Sequence, residues 1–279
     1  MELELIKECL DTYELGEPQT LTQEETAETI VPDYCPDIAR IISAEGVVCL
    51  HGGTEQDGVT GTVRVTVLYT PENESGVRAL EFAMPFSAQG EGLAGCAHVV
   101  VETEIELLES RMLNPRKIFT RCKLVTHLAG CRKVCLTISS DAETDPALLV
   151  EKRCCGQTVS LLRQVAEKDL TFSETMSLSL GREGAAELLH CRANGIVTET
   201  KAIGNKLIFK GVFLVSALYR TIGGLLASAS AELPFSQIME TDSTEENTQV
   251  SMRLRITGTD IQIDGSDDEG RQLSVTVYY

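Results

Sequence analysis

Four side chains near the middle of the chain, Cys122, His127, Cys131 and Cys135, are ligand types that zinc prefers, and Cys154 and Cys155 follow them. Structural zinc sites usually draw paired ligands, about two to four residues apart, from two separate knuckles. The stretch CKLVTHLAGCRKVC does not divide into two such knuckles, and in a strand its side chains would alternate between faces. These cysteines therefore read as small buried thiols, with a Cys-rich zinc site as an alternative. The acidic run DGSDDEG at 264–270 lacks the spaced ligands and distal Glu of a calcium loop and reads as a solvated turn. Glu102, Glu104 and Glu106 alternate along one strand. Paired catalytic carboxylates would instead face each other across a cleft, so these read as a hydrated face.

Neither a G-x-S-x-G elbow nor a G-x-x-x-x-G-K-[ST] loop occurs. No motif singles out His51, His98, His127 or His190 as a base. The reading is of a non-enzymatic protein with no catalytic, cofactor-binding or metal residues. The rival is an enzyme or small-ligand protein whose site lies between domains and draws on His51 or His190.

The elements that would position any site are mostly strands. In TVRVTVLY, Val63, Val65 and Val67 alternate with Thr62, Arg64 and Thr66, which puts the apolar residues on one sheet face. VFLVSALY is apolar on both faces and should be a central strand or a domain contact. HVVVETEIELLES, RKIFTRCKLVTHL and QVSMRLRITGTDIQI also read as strands, separated by turns such as LNPRK. One departure is PDIARIISAEG. Pro36 suits a first helical position, Ile38, Ile41 and Ile42 are spaced as on a helix face, and Gly46 could stop it. A short helix is expected there, with a counterpart at 185–194.

The chain repeats itself. GTVRVTVLYT (61–70) lies over GVFLVSALYR (211–220), and AMPFSAQ (83–89) lies over AELPFSQ (231–237), the Pro-Phe-Ser reading as a turn. DIARIISAEGVV (37–48) lies over AAELLHCRANGIV (185–197). The same order of elements in both halves points to tandem duplication. SSDAETDPA (139–147) reads as the linker, giving units at 1–143 and 144–279, the second apparently without its C-terminal hairpin. The expected fold is mainly β: two similar antiparallel sandwiches or partial barrels, each with one short helix.

Composition narrows the partners. Forty-two acids against 24 Lys and Arg give 279 residues a formal charge of −18, which repels nucleic acid and anionic lipid. The N-terminus lacks the basic and apolar regions of a signal peptide, and no run is long enough to span a bilayer. A cytoplasmic protein is expected, with its ten cysteines reduced.

VPDYCPDIARIISAEGVV, the strand end VTVLY, MPFS and LNPRKI together resemble the SPOCS domain of SipL-like proteins from endospore-forming bacteria. The residues that carry the resemblance are Pro32, Asp33, Pro36, Asp37, Ile38, Tyr69, Pro85, Phe86, Asn114 and Pro115. In the second half they are Tyr219, Pro234 and Phe235, while GREGAAEL replaces the Pro-Asp segment. The resemblance implies two SPOCS-like repeats, without a LysM module, acting as a scaffold in coat and cortex morphogenesis. It also implies a protein partner among spore coat morphogenetic proteins and a place on the mother-cell side of the developing spore surface.

Overall fold

The computed structural model describes residues 4–51, 58–143, 151, 153, 156, 158–178, 184–242, 248–264 and 271–279. They form thirteen strands: β1 (Glu4–Leu15), β2 (Gln19–Ile30), β3 (Ile38–His51), β4 (Gly58–Pro71), β5 (Arg78–Gln89), β6 (His98–Asn114), β7 (Lys117–Glu143), β8 (Thr171–Ser177), β9 (Ala185–Ile203), β10 (Lys206–Thr221), β11 (Leu226–Glu240), β12 (Gly258–Ile263) and β13 (Gln272–Tyr278). All pairings are antiparallel.

In the first half, β7 has β6 on one side and, end to end on the other, β2 and then β1. The sheet β3-β4-β5 packs on it. Alternation buries Val63, Val65, Val67 and Tyr69 of β4 against Ile118, Cys122 and Leu124 of β7. The second half repeats this arrangement, with β9-β10-β11 over β12-β13-β8. Phe213, Val215 and Tyr219 of β10 meet Leu273, Val275 and Val277 of β13. As its two apolar faces require, β10 is the central strand of its sheet.

Neither expected helix forms. Both segments are strands, and two β-bulges in each create the helix-like spacing. Pro71 and Thr70 pair with Ile38 and Arg40, and Tyr69 and Leu68 with Ile41 and Ser43, so Ala39 and Ile42 are extra residues. Each extra residue shifts the alternation, so Ile38, Ile41 and Ala44 all reach the core while Ile42 is left 51% exposed. Ala186 and Leu189 are extra residues of β9 opposite the same steps of β10, and a third, Thr198, has no counterpart in β3. The residue opposite Tyr219 is Leu188, as Ile41 is opposite Tyr69.

The Pro-Phe-Ser segments are not turns either. They lie inside β5 and β11, each bonded to a central strand on one side only. Proline, which lacks an N–H, is tolerated on such an edge. Pro85 pairs with Thr62 and faces out, and Phe86 turns in opposite Gly61. Pro234 and Phe235 do the same opposite Val212 and Gly211. A Cβ on Gly61 would lie 2.5 Å from Cζ of Phe86, and one on Gly211 2.5 Å from Cζ of Phe235. Both glycines are the floor on which a phenylalanine ring rests.

Other expectations shift. Residues 139–143, read as linker, continue β7 along β1. At the C-terminus, where a hairpin was expected to be missing, β12 and β13 form one. Cys9 and Cys135, expected to be reduced, are bonded across β1 and β7 with Cα atoms 5.6 Å apart, because the ladder makes them diagonal neighbours.

Candidate functional site: a loop closed on Arg116

Eight of the residues that carry the resemblance converge at one end of the first sandwich. The loop 31–37 leaves β2, and Val31 N donates to Arg116 O at 2.9 Å. Cys35 N donates to Pro32 O to close a tight turn, and Ile38 N donates to Pro115 O as β3 begins. Pro115 and Arg116 belong to the β6–β7 turn, where Asn114 Oδ1 accepts from Arg116 N at 2.9 Å, a local bond typical of asparagine in turns.

The Arg116 guanidinium then fills the loop. Nη1 donates to Cys35 O at 2.8 Å and Asp37 Oδ1 at 3.0 Å; Nη2 donates to Val31 O at 2.9 Å and Asp33 Oδ1 at 3.1 Å. A planar fork can serve four acceptors at once, which an ammonium cannot. Beneath it, buried Tyr69 donates its hydroxyl to Pro36 O at 3.2 Å. Burial is the main cause that lifts the Tyr69 phenol to about 12. The loop is thus fixed by backbone, guanidinium and phenol together, yet Tyr34 at its tip is 88% exposed. Such a loop can present an aromatic side chain at low entropic cost; it holds no aligned nucleophile and base.

Sequence reasoning missed Arg116. The signal was two aspartates four residues apart with an unassigned arginine in LNPRK. The other marked residues sit elsewhere: Pro85 and Phe86 on β5, and Tyr219, Pro234 and Phe235 in the second sandwich. Tyr219 is as buried as Tyr69, but its hydroxyl has no hydrogen-bond partner among the described residues.

The would-be zinc ligands disperse. Cys122 and Cys131 point into the core, His127 lies outside against Thr20, and Cys135 is bonded to Cys9. Burial raises the Cys122 thiol to about 11. Cys154, Cys155 and 265–270 of the acidic run lie outside the described residues, among which no three His, Cys, Asp or Glu side chains group as metal ligands. Glu106 pairs with Lys123, and Glu102 with Arg253 of the second half.

That last pair belongs to a seam between the halves, which touches the outer face of β3-β4-β5 at Arg64, Arg78 and Glu45. Arg64 donates to Thr259 O at 3.1 Å, Arg78 reaches Glu187, and His190 Nε2 lies 3.1 Å from Glu45 though not aligned for a hydrogen bond. His51, the other histidine of the rival reading, lies instead against Thr62. Cys191, next to His190, is pushed up to about 12 by burial and then by Glu81, which keeps it a thiol rather than a nucleophile. A shallow open depression lined by Lys168, Lys206, Ile238 and Met239 lies away from these groups. No helix among the described residues is long and apolar enough to cross a membrane.

A family model described as SipL, SPOCS domain matches residues 185–264, from the first residue of β9 to the end of β12. No curated protein and no solved structure matches the chain. The signature residues had drawn the resemblance mainly to the first half, whereas the match falls on the second. Over residues 185–264 the chain is therefore similar to the SPOCS domain of SipL.

Proposed function

We propose that the chain is a non-enzymatic protein-interaction scaffold of the developing spore surface, built from two SPOCS-like units at 1–143 and 144–279. The observation that carries the proposal is the SPOCS match on β9–β12, joined to the two bulges that β3-β4-β5 shares with β9-β10-β11. Two linked units engage a partner more tightly than one, since the second contact is intramolecular. The rigid loop around Arg116 is the surface proposed to meet a coat morphogenetic protein from the mother-cell cytosol, with Tyr34 as an aromatic anchor of the kind that dominates interfaces. In a spore-former, a fluorescent fusion is expected to encircle the forespore, and deletion to detach coat or thin the cortex. Normal coat and cortex after deletion would refute the role; Tyr34→Ala should weaken encirclement without lowering the protein's abundance.

A further inference from the structure

We infer that the chain forms a two-fold dimer in which the outer face of β9-β10-β11 packs on the same face of a second copy. The inference goes beyond the scaffold reading and does not depend on it. On β10 the odd-numbered residues from Phe209 to Tyr219 turn into the core, so the even-numbered ones face out. Val212 and Leu214 form the middle of that face, with Ile196 of β9 opposite Val212 and, beyond Lys210, Ile208 paired with Ile238 of β11; Ile196 and Ile238 are 48% and 52% exposed. The equivalent places on β4 hold Thr62 and Arg64, and that polar face is the one the second half touches, at Arg64. Among the described residues, the first half reaches the apolar face at its His190 end. A contiguous exposed apolar sheet face marks a protein contact.

The flanking charges say which protein. The β9 flank carries Arg192 and Lys201, the β11 flank Glu232 and Glu240, and none of the four makes an ion pair with a described residue. Glu199, also on β9, is already paired with Lys210. In register, Arg192 and Ser230 flank Ser216, Asn194 and Glu232 flank Leu214, Lys201 and Ile238 flank Ile208, and Ile203 and Glu240 flank Lys206. A two-fold axis parallel to β10 lays β10 over its mate and β9 over β11 of the second copy. Arg192 then stands one pair from Glu232 of that copy, and Lys201 one pair from its Glu240. A surface that is basic where this one is acidic, with Val212 and Leu214 between Arg192 and Glu232, is this same face turned over. Apolar burial supplies the affinity and the charges set the orientation.

Sedimentation equilibrium of the full chain, from dilute to the highest soluble concentration, tests this. The expected result is a reversible doubling of mass. Leu214→Lys, on the open face, should give a monomer throughout with an unchanged circular dichroism spectrum. Arg192→Glu should weaken the dimer about tenfold, and Arg192→Glu combined with Glu232→Arg should restore it. If Leu214→Lys does not fold, the charge exchange decides alone. A wild-type chain that stays monomeric, or a dimer whose mass neither substitution changes, overturns the inference.

Discussion

The outer face of β4 carries Thr62, Arg64 and Thr66, where β10 has Val212, Leu214 and Ser216, although the two strands hold their neighbours in one register. Inside, the two sheets agree: Tyr69 and Tyr219 are fully buried, and Phe86 and Phe235 lie over Gly61 and Gly211. The backbone plan is thus set by core residues and bulges, while the outward residues were free to diverge into a polar seam on one sheet and an apolar surface on the other. The loops diverge too. Arg271 O accepts from Leu178 N as Arg116 O does from Val31 N, but Gly184 stands where Asp37 does.

The largest effects should come where the halves agree. Gly61→Val and Gly211→Val each force a side chain into a phenylalanine ring and should cost about 2–3 kcal/mol of unfolding free energy in denaturant titrations. Unequal costs would break the equivalence. Arg116→Lys leaves carbonyls and Asp37 without their fork and should cost about 1–2 kcal/mol, with faster amide exchange confined to 31–37 and 114–117.

Tyr69→Phe removes the bond to Pro36 O and should cost about 1 kcal/mol, while Tyr219→Phe, which removes an unpaired hydroxyl, should be neutral or stabilising. pH sharpens this contrast. The folded state keeps the Tyr69 phenol protonated, so its contribution is fully present below pH 10 and is lost as pH rises toward about 12. Tyr69→Phe should flatten that alkaline decline. The smallest effect belongs to the seam, where Glu45→Gln, at a half-exposed carboxylate beside His190, should change stability by less than about 1 kcal/mol.

Much of the fold was legible because strand alternation is a local signal: Val63, Val65 and Val67 declare their face without reference to anything distant. The bulged strands were not, because an extra residue at Ala39 and another at Ile42 turn a period of two into spacings of three, which a helix also produces. Pro85 suggested a turn because sequence cannot tell an edge strand from a bend. The loop was half legible. Its prolines and aspartates stood out, but Arg116 lies 79 residues beyond Asp37, and only the sheet pairing brings them together.

Nuclear Overhauser contacts across the two sheets test most directly that both halves share one bulged plan. Cross-strand contacts are predicted between Tyr69 and Ile41 and between Tyr219 and Leu188, with Phe86 and Phe235 ring protons against the α-protons of Gly61 and Gly211. Helical contacts along 38–46 or 185–194, or different partners for the two tyrosines, would contradict it.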